Sequence, residues 1–376
     1  MKNLILGAGV TGLACGIKTG APIYEMTSHA GGICQDYEKD GFKFSNGGPH
    51  WVFGKDKGLE YIKSLVEIKE YQRKAGVYYN HTFPYPFQSF AQKDIYLKCT
   101  SKVFYTMKTR MYSDFGTELC NMFFNPFNEK YTAGLYDDVC AQDAYKSPKT
   151  GTGWVSTFCD PVKGLSDLVS KMASQCTIHY DKKAFFIDIN KKTVSFTDGT
   201  EEAYDRLIST IPLDQCLRIS GKMGISLPFT SVLVINIGAE PGHSTPEEHW
   251  LYIPFCKSGF HRVAFYTNVD PTKAPIGKVG LSVEIAFHNK DLKDLKVNEI
   301  SFQVCQELER WGWIKNPTTI CIDWVPCAYT WLYNKDDAQR GIDWLAQHDI
   351  ISAGRYATWK FCGITQSIMM GMEVEI

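Results

Sequence analysis

The chain reads Gly7-Ala8-Gly9-Val10-Thr11-Gly12 near its start and Gly354-Arg355 near its end. Between them lie His50, behind Gly47 and Gly48, and Arg262, set among apolar and aromatic neighbours. These residue types suit the handling of anions. Glycines at the first spacing allow a tight turn, close approach of the backbone to a pyrophosphate, and close packing of helix on strand. The first N–H groups of a following helix then face the phosphates. A guanidinium engages two oxygens at once, so an arginine buried at position 262 needs an anion and a diphosphate fits it.

The elements that must hold these residues can be read from the surrounding pattern. Asn3 to Leu6 is a short apolar strand and Leu13 to Lys18 a helical run, the setting that the glycine fingerprint requires. Pro22 to Glu25 reads as a second strand, with Glu25 near the distance at which an acidic side chain holds a ribose hydroxyl. Gly31-Gly32 follows it in an E-x5-G-G arrangement. Gly41 to Ser45 alternates, and Gly47-Gly48 then predict a tight loop able to lie against a flat ring. Lys93 to Ala144 is rich in helix-compatible residues, and Leu165 to Met172 predicts another helix. Strand patterns follow at Thr177 to Tyr180, in a hairpin from Ala184 to Phe196, at Leu207 to Pro212, and through the alternating stretch from Thr230 to Phe287. Ile350 to Arg355 reads as a final strand and turn, after which Thr365-Gln366-Ser367 opens an apolar closing helix.

Composition narrows the function classes. A chain of 376 residues with 44% hydrophobic and 22% charged residues predicts an ordinary globular protein with more than one core. With 40 basic against 41 acidic residues it carries no electrostatic footprint for nucleic acid or an anionic membrane surface. Glycines interrupt the apolar N-terminal stretch, and no run reaches the roughly 18 apolar residues of a membrane span. The expectation is a cytoplasmic protein with neither nucleic acid nor membrane as partner, and with a homodimer as one assembly open to it. Thirteen cysteines are scattered singly, without a C-x-x-C or zinc-type spacing, which predicts reduced thiols and no metal site.

The E-x5-G-G arrangement resembles a superfamily of FAD-dependent proteins that includes amine oxidases, protoporphyrinogen oxidases and UDP-galactopyranose mutases. Where amine oxidases commonly place an arginine after the glycine pair, this chain has Ile33. The loop Gly47 to Phe53 resembles the glycine-glycine-histidine loop of eukaryotic-type mutases, and Pro84-Tyr85-Pro86-Phe87-Gln88 repeats another motif of that family in full. Phe123 to Tyr131 is loosely similar to a helical segment of the mutases. Trp250-Leu251-Tyr252 followed by Arg262, Tyr329, and Gly354 to Lys360 complete the resemblance in the family's order.

That resemblance implies an α/β fold. It comprises a Rossmann-like FAD-binding domain (1–70, 160–220 and 320–376), an inserted helical domain (90–159) and an antiparallel β-sheet substrate domain (71–89 and 221–319). It implies a flavin-dependent mutase that interconverts UDP-galactopyranose and UDP-galactofuranose. Reduced FAD would attack the anomeric carbon through N5 without net redox, and NADPH or NADH would serve as reductant. Implied FAD contacts are Gly7, Gly9, Val10, Thr11, Gly12, Glu25, Gly31, Gly32, Gly47, Gly48, His50, Gly354, Arg355, Thr365, Gln366 and Ser367. Implied contacts to the UDP-sugar are Tyr85, Phe87, Gln88, Trp250, Tyr252, Asn268 and Tyr329, together with Arg262 and Arg355. Arg262 and Arg355 are the expected catalytic residues, with His50 in support. The chain departs from the family at Phe361, at Thr365, and at Phe158-Cys159-Asp160, where a family arginine is replaced and Lys163 is the nearby cation. An oxidoreductase of the amine oxidase or protoporphyrinogen oxidase type and a non-catalytic nucleotide-sugar binder are the alternative readings.

Overall fold

A computed structural model of the chain describes residues 2–85, 106–141, 157–288 and 290–376. Pro86, Phe87 and Gln88 of the proline-aromatic motif lie outside the described residues, as do both ends of the expected helical region and Gly151 to Trp154.

Two sheets carry the molecule. The first has five parallel strands in the order Ile350–Ser352, Arg206–Ser209, Asn3–Leu6, Ile23–Tyr24, Ile178–His179. After Asn3 its central strand is apolar and buried on both faces, as parallel sheets require. The helix Val10–Thr19 leaves that strand through the glycine turn and ends at Gly20, whose positive φ of 70° closes its last turn. The closing helix Ile364–Met372 packs along it so tightly that a Cβ at Gly371 would meet Thr11 O at 2.4 Å. Chain start and chain end thereby form one layer over the sheet.

The second sheet has seven strands in the order Ile314–Thr330, Phe229–Pro241, Val279–His288, Arg262–Phe265, Trp250–Tyr252, Ala75–Tyr79, His81–Pro84. It is antiparallel except where Trp250–Tyr252 runs parallel to Ala75–Tyr79. The strand Ile314–Thr330 pairs with Phe229–Pro241, so the chain is still in this sheet beyond residue 320. Alternation sorts its two faces. Leu233, Ile235, Leu251, Val263, Leu281 and Val283 face the helix Val297–Arg310, whose Val304 and Leu308 complete that core. The opposite face carries Val77, Val234, Trp250, Tyr252 and Ala264 and packs against the helical insert.

The described part of that insert comprises the helix Met107–Leu119, a wide turn Cys120–Phe124 and the helix Asn125–Tyr131. Pro126 sits in the first turn of the last helix, where no intrahelical N–H is required. Phe115, Phe124, Phe127 and Tyr131 are almost completely buried beneath it. Among the described residues, no helix is long and apolar enough to cross a membrane.

Candidate active site

At the carboxyl edge of the parallel sheet the glycines do what their spacing predicts. Gly7 has a φ of 95°, and a Cβ at Gly12 would sit 1.8 Å from Gly7 O, so neither position tolerates a side chain. Gly9 differs, because an added Cβ would meet nothing within 4 Å. It opens onto space at the N-terminal end of the helix Val10–Thr19, for which it is the cap residue. Gly31 donates its N–H to Ala8 O at 2.8 Å, and a Cβ added at Gly32 would lie 3.7 Å from Gly9 Cα. The two glycine pairs therefore form opposite lips of one cradle. Thr11 donates to Ser367 O at 2.9 Å, locking the closing helix to it, while the neighbouring Val10 side chain is buried.

Glu25 is buried, and its carboxylate accepts from Ala8 N–H at 2.7 Å and from Thr27 N–H and hydroxyl at 2.9 and 2.8 Å. It fastens the glycine turn to the second strand, a role that its expected ribose contact does not include. Thr365 and Gln366 also serve the protein. Thr365 is buried and donates toward Phe53 O and Asp56, while Gln366 accepts the N–H of Gly363 at 2.8 Å and so caps the helix. Ser367 pairs its hydroxyl with Cys362 Sγ at 3.3 Å.

The loop that carries Gly47, Gly48 and His50 lies between the two sheets. Both glycines have positive φ, and a Cβ at Gly48 would come within 3.1 Å of Glu284 Oε1. Glu284 belongs to one row of side chains across the second sheet, in which register aligns Tyr252 with Arg262, Arg262 with Glu284, and Glu284 with Val234. Glu284 is 2% exposed and accepts from Arg262 Nε at 2.8 Å and from Nη2 of the same guanidinium. Tyr329 donates its hydroxyl to the other carboxylate oxygen at 3.3 Å. The anion that a buried Arg262 calls for is thus already supplied by the neighbouring strand. Burial opposes the charge of Arg262, but Glu284 outweighs it and holds the guanidinium well above its ordinary pKa.

Arg355 stands just past the last parallel strand, beyond Gly354. The φ of Gly354 is 88°, and a Cβ there would strike Thr11 Oγ1 at 2.4 Å. The guanidinium donates to Ala328 O at 3.1 Å and to Cys362 O at 3.3 Å. It lies over the Phe361 ring at 4.4 Å and within 6.0 Å of Tyr329. Phe361, where the family signature lapses, is therefore a stacking surface for this arginine. Trp359 packs the turn, donating its indole N–H to Trp331 O at 2.7 Å.

Both arginines act on His50. Burial first, then Arg262 and Arg355, push its pKa down against the pull of Glu284, to about 4. His50 is therefore a neutral imidazole near pH 7, and its buried Nε2 has no hydrogen-bond partner among the described residues.

Beyond Tyr252 the same face brings the expected Tyr85 and Trp250 together around Arg73, which the sequence reading did not single out. Arg73 stacks over Trp250 at 4.7 Å and over Tyr85 and Phe53 at 5.6 Å each. Tyr85 and Tyr252 pack at 4.8 Å, and Trp51 stacks on Trp250 at 5.0 Å. Burial lowers the pKa of Arg73, Tyr252 and Tyr85 oppose the shift, and Arg262 is close enough to add to it. Trp250 Nε1 is buried without a partner among the described residues. Asn268 stands apart from this group. Its amide spends both donors on Pro246 O at 2.8 Å and Glu248 O at 2.7 Å, tying down the segment before Trp250. Lys163, the nearby cation in place of a family arginine, is exposed, and Asp160 is paired with Lys273. Among the described residues, no group of three or more His, Cys, Asp or Glu side chains is arranged to hold a metal ion.

No protein-family model matches the chain. Among solved structures, a reduced UDP-galactopyranose mutase superposes with a TM-score of 0.86 at 20% identity, covering 99% of this chain and 92% of that one. A protein from Exiguobacterium sp. 255-15 assigned as a protoporphyrinogen oxidase gives a TM-score of 0.76 at 16% identity, covering 98% and 96%. A putrescine oxidase variant from work on cofactor binding gives 0.69 at 14% identity, also covering 98% and 96%. The chain shares its overall fold with these proteins. Its parallel sheet, glycine cradle and closing helix are the parts described above.

Proposed function

We propose that the chain is a flavin-dependent mutase that interconverts UDP-galactopyranose and UDP-galactofuranose with no net redox change. The observation that carries this reading is that Arg262 and Arg355 gather beside the glycine-glycine-histidine loop: Arg262 and Tyr329 both hold Glu284, against which Gly48 lies, and Arg355 is 6.0 Å from the Tyr329 ring. An oxidase acting on a cationic amine has no use for guanidinium groups there, whereas a leaving diphosphate does. The whole-length likeness to the reduced mutase supports the same reading.

The residues present fit an FAD. The open face of Gly9 at the helix N-terminus suits a pyrophosphate, and Gly31-Gly32 bound the same cradle. Gly47 and Gly48 present bare backbone where a flat ring needs close approach, and His50 Nε2 remains available to it. A reduced flavin supplies the nucleophile for the anomeric carbon; every other demand falls on the protein. Arg355, at the carboxyl edge of the parallel sheet, stabilises the negative charge that grows on the departing UDP. Arg262, neutralised by Glu284, serves by holding that carboxylate and Tyr329 in place beside the loop. Tyr329 lies between the two arginines with its hydroxyl on Glu284, and Tyr252 lies on the other side of Arg262 against Tyr85. Trp250, Tyr85 and Arg73 form an aromatic and cationic wall suited to the nucleotide. NADPH or NADH would reduce the flavin.

The test is turnover. Protein reduced with dithionite is incubated with UDP-galactofuranose and the products are separated by chromatography. Appearance of UDP-galactopyranose supports the proposal. An inactive reduced protein that oxidises an amine or a porphyrinogen instead defeats it.

A further inference from the structure

Outside this site, a cleft of about 740 Å³ opens between the insert helix Asn125–Tyr131, the loop after Tyr252 and the helix Val297–Arg310. Lys130 and Cys256 share its wall. Lys130 Nζ donates to Phe260 O at 2.7 Å and to Ile253 O, and it lies 3.4 Å from Cys256 Sγ. The thiol donates to Phe260 O at 3.0 Å. Both groups are therefore held in place before any reaction, nitrogen against sulfur, beside a cavity large enough to admit a small oxidant. On the other side of the loop Glu307 accepts the N–H groups of Lys257 and Ser258 at 2.8 and 2.7 Å.

We propose that Lys130 and Cys256 form an oxidative modification site, at which a hydroperoxide joins Cys256 Sγ to Lys130 Nζ as a sulfenamide. In the first step the thiol reduces hydrogen peroxide, giving a sulfenic acid at Cys256 and one water. In the second, the neutral amine attacks that sulfur, and the hydroxyl leaves with an amine proton as a second water. Sulfur is oxidised by two electrons and peroxide is reduced by two. The S–H and one N–H are exchanged for an S–N bond, so the protein loses two hydrogens.

The surroundings favour the second step over escape of the sulfenic acid. With two carbonyls engaging the amine's N–H bonds, the remaining direction on nitrogen is toward sulfur. Burial lowers the pKa of Lys130, which raises the neutral fraction that the attack needs. Burial also raises the pKa of Cys256, against the effect of Lys130, so the first step is slow near neutral pH and quickens as pH rises. The bond would tie the helical insert covalently to the loop joining Tyr252 to Arg262. The site is independent of the flavin reading.

The test treats the full-length protein with hydrogen peroxide, blocks remaining thiols with iodoacetamide, and maps tryptic peptides by mass spectrometry. The expected product is one species joining the Lys130 and Cys256 peptides, two hydrogens lighter than their sum, uncleaved after Lys130 and released by dithiothreitol. Its yield rises with pH, and it is lost in C256S and in K130R, each checked for a native circular dichroism spectrum. Recovery of Cys256 only as sulfinic or sulfonic acid, with Lys130 still cleaved by trypsin, overturns the proposal. So does a cross-linked peptide that persists in C256S.

Discussion

Removing Glu284 tests how the centre of the site is built. In Glu284→Ala the guanidinium of Arg262 loses a carboxylate that is 2% exposed and accepts two of its donors, and Tyr329 loses its acceptor. Breaking a buried pair by deleting one partner costs about 3–5 kcal/mol, most of it from the charge left behind. The Arg262 side chain is 17% exposed, so water can reach it and the lower end applies, about 3 kcal/mol. At roughly 2.1 cal/mol/K per residue, the unfolding entropy of this 376-residue chain is about 0.8 kcal/mol/K. The melting temperature should therefore fall by about 4 °C. The decisive comparison is a double variant. If Glu284 is the standing anion of Arg262, then Arg262→Met with Glu284→Leu removes both charges at once and should lose less than the sum of the two single variants, the acceptor lost by Tyr329 remaining as a cost. Urea midpoints for the two single variants and the double variant make the cycle. Single-variant losses that simply add in the double would refute the ion pair as the organising contact.

Further outcomes follow from the same geometry. Gly9→Ala should fold with an unchanged melting temperature, because nothing lies within 4 Å of the new Cβ, yet purify without flavin colour; Gly12→Ala, with 1.8 Å to Gly7 O, should fail to accumulate as folded protein. A yellow, flavin-loaded Gly9→Ala protein would contradict the cradle. Arg355→Ala should keep its flavin and lose about 10²–10³-fold in turnover, the effect of deleting one preorganised charge donor; loss of flavin instead would assign the arginine to the cofactor. His50 titrates at about 4 in the folded chain against 6.5 ordinarily, so its stabilising contribution is complete above pH 6.5 and is lost as pH falls toward 4. That is worth about 3 kcal/mol at most. His249, also held at about 4 by burial, acts in the same direction. His50→Asn should therefore flatten only part of the acid loss of urea stability, and an unaltered slope would exclude His50 as a contributor.

What could be read from the chain in advance depended on range. The glycine cradle is local: turn, cap and close approach are set within six residues, so Gly7 to Gly12 could be placed without a structure. Arg262 showed itself as a charge in an apolar strand, but its partner did not. Glu284 is the matching lone carboxylate of Val279–His288, and only the register of two strands shows that the two meet. Arg73 lies between the strands Ile68–Gln72 and Ala75–Tyr79 with no flanking signature, and its aromatic cage is assembled from Phe53, Tyr85 and Trp250. Asn268 shows the reverse case. An amide near Arg262 in sequence looks available until its two donors are found on Pro246 and Glu248. Thr365 and Gln366 were expected at the cofactor by position in the closing helix, and their side chains hold Phe53, Asp56 and the helix start. Lys130 and Cys256 are 126 residues apart, and no sequence signal joins them.

The most direct measurement for the mutase reading is positional isotope exchange on the dithionite-reduced protein. UDP-galactose is prepared with oxygen-18 only in the bond between the anomeric carbon and the diphosphate. Breaking and remaking that bond, with UDP held by Arg355 and its neighbours, predicts that the label spreads into the non-bridging oxygens of the β-phosphate, while oxidised protein leaves it in place. A reduced, flavin-loaded protein that returns the substrate with its label unmoved would contradict the account.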